Sequence, residues 1–262
     1  MKYNTDINII GSIPDYHLIY KALPLILNTE GNGIVAMEKL LVTDNEFNFR
    51  TEESRKRFLR VINSAFVNKN HDINLLGSKV IEQLKNNEGS QALVLFWLFS
   101  INNTLFYDLN RDLFLKFYFL GRAELPKSDI IAYLKDIFQN NPELKGNWSE
   151  KTIDIVASKY LTVLKRLHLL EGSRKKKYRY IRVSDELLAV FIYFLSLRAD
   201  RESNILIDEF IPFSFVSKDS LIERLKKLGK KDLIRMNYSG TAVNIEPSFN
   251  INNIVNVIFR RA

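Results

Sequence analysis

The cations between residues 147 and 182 are the residues whose chemistry is most easily defined. This segment contains 10 of the 38 lysines and arginines and only 3 acidic residues, so it carries +7 of the net charge of +8. Such a concentration creates a local positive potential that attracts a polyanion, and nucleic acid is the commonest one in cells. An acidic protein surface, or a solvated surface loop, would satisfy the same charges.

The order of residues in this segment predicts how the cations are presented. Apolar residues recur at helical spacing after Trp148, which predicts a helix that continues to Leu170 with one face packed inward. Gly172 is expected to end this helix, and a basic strand over 174–182 would follow. Helix, tight turn and basic hairpin in this order are typical of a winged helix-turn-helix, in which the helix enters the major groove and the hairpin contacts phosphates.

The predicted nucleic-acid-binding residues therefore lie on the outer face of the helix and along the hairpin. Those expected near base edges are Lys151, Ser158, Lys159 and Thr162. Those expected near phosphates are Lys165, Arg166, Arg174, Lys175, Lys176, Lys177, Tyr178, Arg179 and Arg182.

Catalytic and metal-binding patterns are weak by comparison. His17, His71 and His168 are isolated in the sequence, so they have no metal-ligand spacing. Pro14-Asp15 and Glu143-Leu144-Lys145 are fragments of a metal-dependent nuclease signature, but they fall in different predicted domains and the second lies in a turn. We expect a protein that binds nucleic acid without cutting it, with no catalytic residue, metal, cofactor or small-molecule substrate.

Composition bounds the class of protein. The chain contains no cysteine, which excludes structural disulfides and thiolate metal sites. An apolar fraction of 46% with 18 phenylalanines indicates a large aromatic core. The N-terminus lacks the features of a signal peptide, and the apolar run Ala92 to Phe99 is far shorter than the ~20 residues that cross a bilayer. We expect a cytoplasmic protein with no membrane partner.

The periodicities predict a mainly α protein with three domains. Residues 1–122 are expected to form a helical bundle that follows an extended lead-in over 1–16 and has a buried helical hairpin over 90–120 as its hub. Residues 123–200 are predicted to form the winged helix-turn-helix, with the helix that begins at Ser128 as its supporting element. Residues 201–262 are predicted to form a helix-hairpin-helix unit packed on the winged helix.

The last domain is expected to repeat the pattern of the second. A helix over 221–228, ended by Gly229, precedes two strand-like runs that turn at Ser239-Gly240. A helix over 251–260 follows, as a helix over 186–197 follows the basic hairpin.

The segment 148–153, followed by the helix end over 161–170, resembles the hallmark region of the BrxA family, components of bacterial BREX phage-defence systems. The helix over 55–66 and the aromatic helices over 96–119 also occur in the order found in that family, so the resemblance covers about residues 50–200. It implies an N-terminal bundle similar to the antitermination factor NusB and a C-terminal winged helix. It also implies binding of double-stranded DNA and association with other BREX subunits.

The sequence departs from the family at two places. His168 stands where similar sequences have glycine at the helix end, and the first 40 residues match no part of the family pattern. Two other functions also stay open. The chain can be a scaffold that docks other defence subunits, with the basic hairpin on an acidic protein surface, or a protein that binds RNA through its helical bundle.

Overall fold

A computed structural model of the chain describes residues 3–27, 35, 38–39, 43–45, 47–140 and 148–260. The protein is mainly helical, which confirms the predicted class. The helices are α1 (Asp6–Ile10), α2 (His17–Leu27), α3 (Glu52–Phe66), α4 (His71–Gln83), α5 (Glu88–Asn102), α6 (Thr104–Leu109), α7 (Lys116–Phe119), α8 (Lys127–Asn140), α9 (Glu150–Arg166), α10 (Asp185–Leu197), α11 (Lys218–Lys230) and α12 (Ile251–Arg260).

Short elements join these helices. A π-helical segment, Asn110–Leu115, connects α6 to α7, and two 3-10 helices, Ile205–Ile207 and Ile211–Ser214, lie between α10 and α11. Strands β1 (Leu170–Glu171) and β2 (Lys177–Tyr178) form one antiparallel hairpin. Strands β3 (Ile234–Tyr238) and β4 (Val243–Pro247) form a second.

Helix α5 is the most deeply buried helix of the N-terminal part. Trp97 on this helix is fully buried, its ring lies 5.2 Å from that of Phe191 on α10, and its indole N–H donates to the Phe213 carbonyl at 2.9 Å. A buried indole needs such an acceptor, so these contacts fix α5 against the C-terminal half. Buried apolar side chains form a continuous core across the three predicted domains, whose boundaries stay a prediction.

Asn103 separates α5 from α6. The buried Asn103 caps α6, since its Oδ1 accepts from the Phe106 amide at 2.8 Å and lets a new helix begin at once. The two helical halves diverge by 115°, so they form a bent pair and the predicted hairpin is wrong. Within the described residues, a membrane-spanning length of apolar helix is reached only by this bent pair taken together and by no single helix.

The extended lead-in predicted for residues 1–16 is also wrong. Residues 6–10 form α1 because Ile7 and Ile10, three positions apart, are both buried when the segment is helical. Helix α1 packs against α9 at Gly11, where an added Cβ would lie 2.8 Å from the Lys159 carbonyl oxygen. The helix predicted over 34–41 and the turn before it lie largely outside the described residues.

Helix α9 ends at Arg166, four residues before the predicted end. The Leu169 amide donates to the Leu164 carbonyl at 2.9 Å and the His168 amide to the Lys165 carbonyl at 3.1 Å. This pair of bonds is a Schellman motif, which requires a left-handed residue, and His168 takes that role with φ of 58°. Histidine therefore occupies the conformation for which glycine is usual.

Helix α11 ends in the same way. The Leu233 amide donates to the Leu228 carbonyl at 3.1 Å, and Asp232 is the left-handed residue with φ of 54°. The predicted end at Gly229 is wrong, because Gly229 lies inside the helix. The predicted order of helix, hairpin and helix is present, with the final helix at Ile251–Arg260.

Helix α9 is anchored to the core by one buried hydrogen bond. The Tyr160 hydroxyl donates to Asn110 Oδ1 at 2.9 Å, and Asn110 Nδ2 donates in turn to the Phe106 carbonyl at 2.6 Å. Burial raises the pKa of Tyr160, so its hydroxyl stays protonated and remains a donor. Asn110 is the first residue of the π-helical segment, and its side chain points toward α9.

Replacing Tyr160 by phenylalanine should lower the free energy of unfolding by about 1–3 kcal/mol, because Asn110 Oδ1 would be buried without a donor. Urea denaturation followed by circular dichroism measures this change. Tyr180→Phe is the matched control, since Tyr180 is 87% exposed and its replacement should change the free energy by less than about 0.5 kcal/mol. Equal stability of the two variants would contradict the anchoring role of Tyr160.

Candidate nucleic-acid interface

The outer face of α9 is set by its capping and by its buried stripe. Ser149 Oγ accepts from the Thr152 amide at 3.2 Å, which fixes the start of the helix. The α8 helix packs beside it. The side chains that point away from the core are Lys151, Ile155, Ser158, Thr162 and Lys165, and none of them is buried.

The basic hairpin, defined here as residues 170–178, is attached to the segment that precedes α8. The Tyr178 amide donates to the Ala123 carbonyl at 3.1 Å, and the Leu125 amide to the Lys176 carbonyl at 2.9 Å. Glu124 thus forms a single antiparallel bridge with Lys177, outside the two strands of the hairpin. The hairpin is held at the edge of the α8–α9 pair.

The basic strand predicted over 174–182 is shorter than expected and pairs only at Lys177–Tyr178. The Arg179 amide still donates to the carbonyl of Leu169, the residue opposite it, at 3.1 Å. The chain leaves the ladder after that bond, because the Ile181 amide donates to the Tyr118 hydroxyl at 3.2 Å. Arg182 is therefore exposed but outside the hairpin.

A groove of about 510 Å³ lies between α9 and the basic hairpin. Its walls and floor are formed by Ser158, Leu161 and Thr162 on α9, by Arg174, Lys175 and Lys176 on the hairpin, and by Glu124, Leu125, Pro126 and Lys127 before and at the start of α8. The structure therefore brings two predicted base-edge residues, Ser158 and Thr162, next to three predicted phosphate-binding residues of the hairpin. The other two, Lys151 and Lys159, do not line the groove.

Most of the candidate cations are unneutralised. Within the described residues, those whose side chains form neither an ion pair nor a hydrogen bond are Lys151, Lys159, Lys165, Arg174, Lys177 and Arg182. Lys175 lies 3.6 Å from Glu124, an exposed pair that contributes little to stability. Lys176 donates to the Gly172 and Ser173 carbonyls, and burial together with the charge of Lys165 lowers its pKa.

The side chains of two predicted phosphate-binding residues, Arg166 and Tyr178, contact other parts of the protein. Arg166 donates to the Pro14 carbonyl, and its guanidinium lies 5.5 Å from the centre of the Tyr16 ring. The Tyr178 ring stacks on Phe114 at 5.2 Å, and its hydroxyl donates to the Phe114 carbonyl at 3.1 Å. These contacts join α9 and the basic hairpin to the N-terminal helices, so both residues position the interface.

His168 links the end of α9 to its surroundings. Its Nε2 lies 3.3 Å from Glu88 Oε1, and its Nδ1 lies 3.5 Å from the Arg179 guanidinium. The side chain thus contacts α5 on one side and the residue after β2 on the other. Arg179, a predicted phosphate-binding residue, is exposed, and one nitrogen of its guanidinium makes this contact with His168.

The two acidic residues of α9 pair with lysines of α8 and not with the basic hairpin. Glu150 accepts from Lys135 at 2.7 Å, and Asp154 lies 2.6 Å from Lys127. Because both partners come from α8, these acidic groups leave the cations of the hairpin available.

Sequence reasoning missed Ile155, which is 38% exposed on the outer face of α9. Its spacing contains the signal, since it lies four residues after Lys151 and three before Ser158. Lys127, which lines the groove, was assigned only to a domain boundary.

The carboxylates of Asp108 and Asp112, which lie four residues apart, form hydrogen bonds and ion pairs within the fold. Asp108 accepts from the Tyr3 hydroxyl at 2.7 Å, and burial raises its pKa. Arg111 pairs with Asp112 at 2.7 Å and with Glu209 at 3.0 Å. Among the described residues, no three histidine or acidic side chains are grouped as metal ligands, and the 143–145 fragment lies outside them.

Replacing Gly172 by alanine should loosen the basic hairpin. Gly172 has φ of 89°, and an added Cβ would lie 2.2 Å from the Lys175 carbonyl oxygen, so the turn must open. Amide hydrogen exchange over residues 170–178 should become faster, and mass spectrometry of peptides from this region measures it. Gly240→Ala is the control. Its φ of 88° gives the same backbone strain, but no atom lies within 4 Å of the added Cβ. Unchanged exchange in the Gly172 variant would contradict the close turn.

Comparison with known proteins supports one family. The model of the BrxA family matches residues 19–192 of this 262-residue chain. The chain matches no curated protein and no solved structure. The match covers more than half of the sequence and includes both helical N-terminal residues and the α9–hairpin surface. Because it begins at residue 19, the expectation that the first 40 residues match no part of the family pattern is wrong for residues 19–40. The chain therefore belongs to the BrxA family, whose membership implies a component of a bacterial BREX phage-defence system.

Proposed function

We propose that this chain is a non-enzymatic subunit of the BREX system that binds double-stranded DNA through α9 and the basic hairpin. The observation that carries the proposal is the groove between these elements. Of the four described cations that line it, Arg174 and Lys176 form no ion pair, Lys175 lies 3.6 Å from Glu124, and Lys127 pairs with Asp154. Counterion release from DNA makes such cations a source of affinity for phosphates.

The chain order around the groove supports the assignment. A helix that ends at Phe119, a short extended segment at Glu124, helices α8 and α9, and the β1–β2 hairpin follow one another. This is the order of a winged helix-turn-helix, in which the last helix enters the major groove. The description of the N-terminal helices as a NusB-like bundle rests on the family resemblance and belongs to the same proposal.

The dimensions of α9 suit the major groove of B-form DNA. The helix has 17 residues, so it is about 25 Å long. The major groove of B-DNA is about 12 Å wide and admits a helix, with its first turns at the base edges. Phosphates on either side of that groove would then lie near Lys165 and near the turn of the hairpin at Arg174.

Duplex RNA fits this surface poorly, because the major groove of A-form helices is too narrow for a helix to enter. RNA binding by the N-terminal helices is a separate possibility, and competition between duplex DNA and RNA of equal length ranks the two. A scaffold role is the second candidate function, because the family places the chain among other BREX components. No shift of a short DNA duplex at micromolar protein, with stable capture of BREX subunits, would favour the scaffold.

Replacing Arg174, Lys175, Lys176 and Lys177 by alanine should weaken binding and reduce its salt dependence. If the wild-type interface neutralises about five phosphates, log affinity against log salt should have a slope of about −4 to −5. Each lost phosphate contact should flatten this slope by about one unit. Fluorescence anisotropy with a labelled duplex at several salt concentrations measures both quantities.

A second variant tests whether the location of the removed cations matters, or only their number. Replacing Lys226, Lys227, Lys230 and Lys231 by alanine removes the same charge from the end of α11 and the turn that follows it. That variant should keep most of the wild-type affinity and slope. Equal losses in the two variants would indicate attraction by net charge alone, and wild-type behaviour of the hairpin variant would remove the hairpin from the interface.

A further inference from the structure

The outer face of α9 has an apolar centre. Ile155 is 38% exposed, with Lys151 one turn before it and Ser158 and Thr162 within the two turns after it. A β-branched residue has lower helix propensity than alanine or lysine, and Ile155 adds little to the buried core. Folding therefore does not require an isoleucine at this position.

The polar groups beside Ile155 have few hydrogens left to donate. The Ser158 hydroxyl donates to the Asp154 carbonyl at 2.9 Å, and the Thr162 hydroxyl donates to the Ser158 carbonyl at 2.9 Å. Both hydrogens are thus used within the helix itself. Each side chain keeps acceptor capacity on its oxygen, and the half-buried Thr162 also carries a methyl group.

The centre of this face lacks the side chains that recognise bases by paired hydrogen bonds. Asparagine or glutamine reads adenine in this way, and arginine or lysine reads guanine. Of these four residue types the outer face contains only lysine, at Lys151 and Lys165 near the two ends of the helix. The centre is left with apolar contact as its means of discrimination.

We infer that α9 recognises C5-methyl groups in the major groove, those of thymine and of 5-methylcytosine, through Ile155 and the Thr162 methyl. This inference rests on the proposed binding of duplex DNA. Thymine is the standard base that places a methyl group in the major groove, and apolar side chains contact it there. The hairpin cations would hold the phosphates while the apolar centre of α9 selects methyl-bearing steps.

The test compares two alternating duplexes of equal length, one of adenine with thymine and one of adenine with uracil, which differ only in the C5-methyl groups. The wild-type chain should bind the thymine duplex more tightly, by about fourfold for each methyl group that it buries. In a second pair, 5-methylcytosine in place of cytosine in a guanine-cytosine duplex should raise the affinity by a similar factor.

Two variants test which residues cause the difference in affinity between the thymine and uracil duplexes. Ile155→Ala should bring the ratio of the affinities for the thymine and uracil duplexes close to one, whatever its effect on either affinity alone. The alanine variant of residues 174–177 should weaken binding to both duplexes and keep their ratio. Full discrimination by Ile155→Ala would overturn the role of Ile155.

The failures of the two proposals are distinguishable. Equal, salt-dependent binding of the thymine and uracil duplexes by the wild-type chain would overturn methyl recognition and leave the phosphate contacts in place. Absence of binding to either duplex at micromolar protein would overturn both proposals and leave the outer face of α9 available to a protein.

Discussion

The orientation of α9 is the constraint on which the proposed interface depends. The inner face is committed to the core through the buried Tyr160–Asn110 hydrogen bond, and Arg166 ties the end of the helix to the Pro14 carbonyl. With that face fixed, the opposite face has to carry Lys151, Ile155, Ser158, Thr162 and Lys165 outward. A helix free to rotate about its axis would present no defined surface to a ligand.

The turn after α9 places the basic hairpin beside the helix, and the groove lies between the two. The left-handed conformation of His168 reverses the chain, so that β1 begins two residues later and the basic hairpin returns beside the helix. Hydrogen bonds from Leu125 and Tyr178 then hold the hairpin against the segment before α8. Because α8 lysines pair with the two carboxylates of α9, those carboxylates do not neutralise the hairpin, where Lys175 pairs with Glu124.

Much of this arrangement could be predicted from the sequence because it depends on local signals. The helix after Trp148 and the turn at Gly240 each follow from residues close together in the sequence, and the charge concentration is visible without a structure. The outer face of α9 follows from its periodicity, which includes Ile155, although that residue was overlooked.

The rest depends on contacts between distant residues. Helix α1 forms because Ile7 and Ile10 find a surface that includes α9, and no local pattern in so short a segment indicates it. The end of α9 was misplaced because a left-handed histidine gives no sequence signal comparable to glycine. The inward direction of Arg166 and Tyr178 likewise depends on Pro14 and Phe114, which are far away in the sequence.

The most direct measurement is hydroxyl-radical footprinting of the protein, alone and saturated with a short DNA duplex, read by mass spectrometry. We predict protection confined to the outer face of α9 and to residues 172–182, with α3 and α11 unchanged. Protection of the basic residues of α3 or α11, with the hairpin as reactive as in the free protein, would contradict the proposed interface.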